Sequence, residues 1–359
     1  MPCCSPEAQA SPIAAALIAW HARHGRHDLP WQHQRSPYRV WVSEIMLQQT
    51  QVATVIGYYQ RFMQRFPDIA TLAAAPLDEV LHLWSGLGYY SRARNLHRSA
   101  QRVVSEYGGA LPGEVDTLAE LPGIGRSTAA AIVALAFGRR ASILDGNVKR
   151  VLARYFAIDG PLGESTTERE LWYRAEQCTP QADTEVYTQA IMDLGATLCT
   201  RREPLCMHCP LREDCVARRT GRAHELPAPR PRRTRPMRQV VMLLAVDPRG
   251  QVLLQRRPPQ GVWGGLWTPP EFEHAAAAAR FCATTLHAAR LDPQPLPRLR
   301  HAFTHFELEI TPLRASCPDA LTVMEGDGSL WYNPREPVRI GLPAPIAALL
   351  SAVSSRGDN

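Results

Sequence analysis

The sequence predicts two folding units: a mainly α N-terminal half closed by a cysteine-rich loop, and a smaller α+β C-terminal domain. Three observations carry this reading. From Ile13 through Tyr187 to Leu198, apolar residues recur with helical period and little strand-like alternation appears. Cys199, Cys206, Cys209 and Cys215 then stand at C-x6-C-x2-C-x5-C and end the helical part. Beyond an Arg- and Pro-rich stretch the pattern changes to the alternation of strands. A chain of 359 residues with 45% apolar content can fill two cores. A net charge of +6 and a pI near 8.9 favour an acidic partner. No run of about 18 apolar residues occurs, so no membrane span is expected. Met1-Pro2-Cys3-Cys4-Ser5 has neither a basic nor an apolar leader region, and Cys3, Cys4, Cys178, Cys282 and Cys317 are scattered. Both features fit a reducing, cytoplasmic setting without a disulfide framework.

Residues 1–12 are expected as a flexible N-terminus and 13–215 as the helical domain. Read as one helix, Trp41–Val52 places Glu44, Gln48 and Gln51 on a single face at i, i+4 and i+7. A lone glutamate on a helix is ordinarily solvated. In Leu121-Pro122-Gly123-Ile124-Gly125-Arg126-Ser127-Thr128, two glycines around one apolar residue permit a tight interhelical turn. The small-residue helix Ala129–Phe137 that follows offers unpaired N–H groups and the positive end of its dipole, a seat for phosphate. The arrangement resembles a helix-hairpin-helix gripping DNA backbones; an ordinary turn between helices is the plain alternative. Asp145 and Asn147, before an apolar run, suit a helix cap. Asp145 also follows Gly125 by twenty residues, enough for a helix to return its carboxylate to the hairpin's side.

Four thiolates in so short a loop can surround one metal centre, either an iron–sulfur cluster or structural zinc. Zinc loops more often come as two close pairs, whereas here one pair sits between two outlying cysteines. Disulfides or unrelated core cysteines are the alternatives. Residues 216–238 carry eight arginines against one acid, Glu225, with Pro227, Pro229, Pro231 and Pro236, and read as an extended basic linker. In the domain expected over 239–350, Val240–Val246 and Gln251–Arg256 flank the hairpin signal Asp247-Pro248-Arg249-Gly250. A helix is expected around Ala275–Ala289, an alternating strand over Phe303–Leu313 and a closing helix over Ala344–Val353, with 351–359 as a tail.

The hairpin, Asp145 and the cysteine spacing together resemble the endonuclease III superfamily of base-excision DNA glycosylases, over roughly Ile13 to Cys215. The string Ser43-Glu44-Ile45-Met46-Leu47-Gln48-Gln49-Thr50-Gln51-Val52 closely resembles the signature of MutY-type adenine DNA glycosylases. Val252–Pro259 and Gly261–Trp267 are similar to the MutT-like, Nudix-fold module of those enzymes. The resemblance implies a helix-hairpin-helix glycosylase domain with a [4Fe-4S] cluster on Cys199, Cys206, Cys209 and Cys215. It further implies a C-terminal Nudix-like domain that recognises the lesion. Nudix hydrolysis needs a cluster of glutamates, and Ala275–Arg280 has none, so the domain is expected to read and not to hydrolyse.

The implied reaction is hydrolysis of the N-glycosidic bond of adenine mispaired with 8-oxoguanine or guanine in double-stranded DNA. Adenine leaves poorly until a ring nitrogen is protonated, so one carboxyl must donate a proton while another stays ionised. Glu44 matches the family's acid, and Trp41, Ile45 and Leu47 around it suit a raised pKa. Asp145 is the implied ionised partner and Asn147 orients water or sugar. Ser127 stands where bifunctional relatives carry a Schiff-base lysine, and Lys149 matches a different family position, so no efficient strand cutting is expected. The target base must be flipped out, and Leu87, Tyr89 and Tyr90 suit filling or wedging the vacated stack. Gln49 and Tyr89 match residues that probe the lesion pair, Gln48 has an amide for base edges, and Gly123, Gly125, Ser127 and Lys149 belong to the DNA-binding set. Arg92 and Arg94 are expected on phosphates. Phe303, Thr304 and His305 match the loop that senses 8-oxoguanine, with threonine where relatives often have serine. A cytoplasmic, nucleoid-associated bacterial monomer follows from the same resemblance. Two rival readings are a bifunctional pyrimidine glycosylase/lyase, opposed by Ser127, and a non-catalytic redox-sensing DNA-binding protein, opposed by Glu44 and Asp145.

Overall fold

The computed structural model describes residues 11–229, 234–286, 290–292, 296–317 and 328–354. The expected N-terminal segment up to residue 10, linker residues 230–233, the end of the expected helix at 287–289 and the tail from 355 lie outside the described residues. The chain divides into two compact units, Met1–Ala73 with Arg98–Arg232, and Ala74–His97 with Arg233–Asn359. No helix among the described residues is long and apolar enough to cross a membrane.

The first unit is built from helices. In chain order these are α1 (Pro12–His24), α2 (Pro37–Leu47), α3 (Val52–Arg65) and α4 (Ile69–Ala74), after which α5 (Leu77–Trp84) belongs to the second unit. α6 (Ser91–Tyr107) begins in the second unit and ends in the first. α7 (Val115–Ala119), α8 (Arg126–Phe137), α9 (Gly146–Tyr155), α10 (Ser165–Cys178), α11 (Thr184–Thr197) and the short α12 (Val216–Arg219) follow. Local chemistry sets the ends. Ser36 caps α2, its hydroxyl accepting from Arg39 N at 3.2 Å with Pro37 in the first turn. Gly138 closes α8 in the left-handed conformation, at φ 64°. The small residues Ala129, Ala130, Ala131 and Ala134 of α8 are buried, so α2, α7 and α11 can all pack on it.

The second unit holds a mixed sheet of β1 (Met237–Val246), β2 (Val252–Arg256), β3 (Trp267–Thr268), β4 (Glu271–Phe272), β5 (Arg290–Leu291), β6 (Leu299–Ala302), β7 (Glu307–Ser316) and β8 (Ser329–Tyr332). Its backbone order is β3-β2-β1-β7-β5, with β4 on β1, β6 on β7 and β8 on β2. β1 and β7 run parallel, Met237 opposite Glu307 through Val246 opposite Ser316. Alternate residues of β1 (Val241, Leu243 and Ala245) join Leu253, Leu313 and Ala315 in a core with Ala278 and Cys282 of α13 (Ala275–Thr284). α14 (Ala344–Ser354) ends the described chain.

Three segments differ from expectation. Trp41–Val52 is not one helix: α2 stops at Leu47, Gln49 takes φ 56°, Thr50 N bonds Leu47 O at 3.2 Å, and α3 starts afresh at Val52. Glu44, Gln48 and Gln51 therefore share no helical face. Phe303–Phe306 is a turn closed by Phe303 N on Phe306 O at 2.9 Å, and the strand begins only at Glu307. The first part of the expected linker is folded, because Ala217, Ala223 and Leu226 are buried and Arg154 holds Leu226 O at 2.8 Å. Three apolar side chains among the arginines suffice to fasten this stretch to α9.

Candidate active site

A cleft of about 470 Å³ opens in the first unit between the end of α2, the hairpin before α8, the start of α9 and the middle of α11. Glu44, Gln48, Gln49, Gly125, Ser127, Asp145 and Asn147 all line it. The hairpin forms because Gly123 takes φ 81°, open to glycine alone without strain, while Ile124 is buried and anchors the turn. Gly125 is the N-cap of α8. Ser127 Oγ accepts from Leu144 N at 2.9 Å, which ties the start of α8 to the segment carrying Asp145. Gln48 bonds Thr128 Oγ1 at 3.2 Å, so its amide is already engaged with the hairpin. Gln49 is exposed and holds its left-handed backbone without a glycine, the kind of strain that concentrates at working sites.

The two acids sit in unlike surroundings. Burial first, and then the Asp145 charge, push the Glu44 carboxyl up to about 8. Burial raises Asp145 as well, but the Val148 and Asn147 N–H groups and the charges of Arg150 and Lys149 pull the other way. Asp145 is the N-cap of α9: Oδ1 accepts from Val148 N at 2.8 Å and Oδ2 lies 3.4 Å from Asn147 Nδ2. One negative charge shared by the pair therefore rests on Asp145, and the proton on Glu44. The capping role and a catalytic one are compatible, since the cap's hydrogen bonds work against the burial that raises Asp145 and aim its carboxylate.

Arg150 braces the site from behind. Its Nη2 donates to Asn147 Oδ1 at 2.8 Å and to Gly195 O at 2.6 Å, and its Nε to Cys199 O at 2.7 Å. Arg154, one turn on, reaches Cys199 Sγ at 3.3 Å and Thr200 O at 2.7 Å. Cys199, Cys206, Cys209 and Cys215 line one small cavity with walls of Leu194, Leu198 and Leu211. Among the described residues no three His, Cys, Asp or Glu are gathered as around a single ion. Burial pushes Cys209 up to about 12 and raises Cys215, with the neighbouring thiols adding to both.

Comparison with known proteins bears on the whole chain. Residues 42–177 match the HhH-GPD superfamily of base excision DNA repair proteins, and residues 241–352 match the NUDIX domain. The chain is 37% identical over 338 residues to an adenine DNA glycosylase of Buchnera aphidicola, covering 93% of this chain and 95% of that one. It is 36% identical over 391 residues to the adenine DNA glycosylase of Mus musculus, covering 92% and 75%. The chain belongs to the adenine DNA glycosylase family. Among solved structures, a thermostable thymine-DNA glycosylase superposes with TM-score 0.52 at 28% identity, over 58% of this chain and 95% of that one. A non-covalent endonuclease III–DNA complex, at 24% identity and TM-score 0.50, shares the fold over 58% of this chain and 94% of that one.

As an adenine DNA glycosylase the chain acts in base excision repair, and its second unit carries a separate pocket of about 620 Å³. Tyr89, Arg238, Trp263, Phe303, Thr304 and His305 line it. Tyr89 OH lies 3.4 Å from Thr304 Oγ1, and both Tyr89 and Trp263 hold positive φ, 48° and 52°. Of the three expected wedge residues only Tyr89, 45% exposed, projects; Leu87 is 6% exposed and Tyr90 8%. Tyr90 OH accepts from Gly86 N at 3.1 Å and donates to Leu342 O at 3.3 Å, which makes it a strut. Arg92 is likewise internal, whereas Arg94 is half-buried and lines this pocket. Arg92 is buried on Trp84 and Tyr89 and bonds Gly88 O at 3.2 Å, and Arg94 bonds Gly264 O. Lys149 does not line the cleft of the first unit, because its ammonium is held by Glu168 at 2.6 Å. Conversely, Arg26, Leu29, Trp31, Gln189 and Met192 line that cleft without having been singled out. Gln189 left a readable signal: with Asp193 it interrupts the apolar stripe of α11 at i, i+4.

Proposed function

We propose that this adenine DNA glycosylase releases adenine mispaired with 8-oxoguanine, and with guanine, without cutting the strand. The observation that carries the reading is a cleft pairing one carboxyl that keeps its proton, Glu44, with one anchored as an anion at a helix N-terminus, Asp145. Glu44 donates its proton to a ring nitrogen of the extruded adenine. Asp145 stabilises the cationic sugar as the bond breaks, and Asn147, fixed by Arg150, orients the sugar or the attacking water. Among the described residues no amine is placed for Schiff-base chemistry: the sole lysine of the sequence, Lys149, is paired with Glu168.

The pocket around Tyr89, Phe303, Thr304 and His305 is the reader of the opposing base, with the two hydroxyls as its polar edge. Cys199, Cys206, Cys209 and Cys215, which line one cavity, would hold a [4Fe-4S] cluster as thiolates. Such a cluster staples the loop and supplies a one-electron redox centre. The protein works as a cytoplasmic, nucleoid-associated monomer on duplex DNA. Single-turnover release from 8-oxoguanine:adenine, guanine:adenine and thymine:adenine duplexes tests the reading. The first two are expected to react and the third is not; equal rates on all three would contradict lesion direction.

A further inference from the structure

Arg94, Arg238, His301 and His305 line the pocket of the second unit, and among the described residues no Asp or Glu does. Arg94 is engaged, its guanidinium donating to Gly264 O. Arg238 is placed differently. By strand alternation it takes the face of β1 opposite Val241, Leu243 and Ala245, which join the core. Glu307 N bonds Pro236 O at 3.0 Å, so β1 starts beside the turn that closes on Phe306. There the exposed Arg238 sets its Cζ 4.5 Å from the centroid of the Phe306 ring. That ring is stacked on Phe303 at 4.6 Å and 18°. A cation held by a ring face spends none of its N–H groups on the contact. Among the described residues Arg238 makes no hydrogen bond or ion pair, so its donors and its charge stay available.

We propose that Arg238 is a phosphate clamp. It binds a backbone phosphate of the strand opposite the adenine, at or next to the nucleotide whose base the pocket reads. Base edges offer neutral donors and acceptors, which the hydroxyls of Tyr89 and Thr304, 3.4 Å apart, are suited to meet. A guanidinium in a pocket without carboxylates calls for an anion, and the anions of duplex DNA are its phosphates. The planar fork matches two phosphate oxygens, and the stack of Phe306 on Phe303 fixes where it is offered. Such a contact sets the register of the strand over the pocket and carries no base information itself. The inference deepens the proposed function and rests on the pocket receiving the opposing base.

The test is duplex affinity, measured with 2′-fluoro-2′-deoxyadenosine, whose glycosidic bond resists cleavage, opposite 8-oxoguanine, guanine or thymine. In a second set the 8-oxoguanine strand carries one neutral methylphosphonate linkage, moved in turn through the positions flanking the lesion. Wild type, Arg238→Gln and Arg238→Lys are compared over a range of salt concentrations, and their melting temperatures are recorded. Arg238→Gln is expected to bind about tenfold more weakly and to flatten the log–log salt dependence by about 0.9. The ratio of 8-oxoguanine to guanine affinity should stay unchanged, and Arg238→Lys, which keeps the charge, should keep the salt slope. One methylphosphonate position is expected to weaken wild type about tenfold and Arg238→Gln not at all. The proposal fails if Arg238→Gln leaves affinity or salt slope unaltered, or if every methylphosphonate weakens both proteins alike. It also fails if the loss is confined to 8-oxoguanine, which would make Arg238 a reader of the base. A wild type that binds the 8-oxoguanine duplex no tighter than the thymine one would instead overturn the lesion reading of the pocket, whatever Arg238 does.

Discussion

Glu44 can protonate a purine only while it still carries a proton, and its surroundings keep that proton on at neutral pH. The acid form dominates below about 8 and is lost as pH rises through that value. Base release should therefore decline above about pH 8, toward tenfold per pH unit, in a single-turnover pH profile. Stability carries the same signature. The folded carboxyl holds a proton where an ordinary one near 4.5 has lost it, so folding takes up a proton and stability falls as pH rises from about 4.5 to about 8. Thermal melts should show Glu44→Gln matching wild type at pH 4 and melting higher than it at pH 8; equal melting temperatures at both would contradict the buried-acid assignment. At this scale the sequence was informative where residues form a string, as around Glu44, and blind where burial decides. Arg92 and Leu87 look like DNA-facing residues until their burial is known. Nothing in the spacing discloses that Lys149 meets Glu168.

Among the elements, α9 carries the site: Asp145 is its cap, Asn147 its first turn and Arg150 its brace to the cysteine loop. α11 can come this close only because residue 195 is glycine, where an added Cβ would stand 2.6 Å from Asn147 Cβ. Gly195→Ala should displace Asn147, slow base release about tenfold or more and cost about 1–3 kcal/mol of stability, the usual range for overpacking. Single-turnover kinetics beside denaturant unfolding would check both, and an unperturbed rate would separate Asn147 from the chemistry. The helices themselves were readable from periodicity, as was the hairpin from its glycines. The break between α2 and α3 was not, because no glycine or proline marks it and a glutamine, Gln49, takes the left-handed conformation. The turn at Phe303–Phe306 was hidden for the opposite reason, its aromatic residues imitating a strand.

For the molecule as a whole, the two units do not follow one another in sequence. Residues 74–97 belong with the C-terminal part, where Ser85 Oγ accepts from Leu342 N at 3.3 Å and Trp267 Nε1 donates to Asp78 at 3.3 Å. Periodicity separates a helical half from a sheet domain but cannot show that one helical excursion is claimed by the later unit. A chain ending at Arg232 leaves that excursion without its partners. It should be cut by protease within 74–97 and melt about 5–10 °C below full length, on the scale of a few kcal/mol for a domain of this size; resistance equal to that of the full chain would contradict the division.

The measurement that bears most directly on the account is single-turnover adenine release by Glu44→Gln from an 8-oxoguanine:adenine duplex, with duplex affinity measured on the same preparation. We predict release reduced by about a hundredfold to ten-thousandfold, the span general acids contribute, with binding retained. Release at the wild-type rate, or loss of binding in step with loss of release, would contradict Glu44 as the proton donor of this cleft.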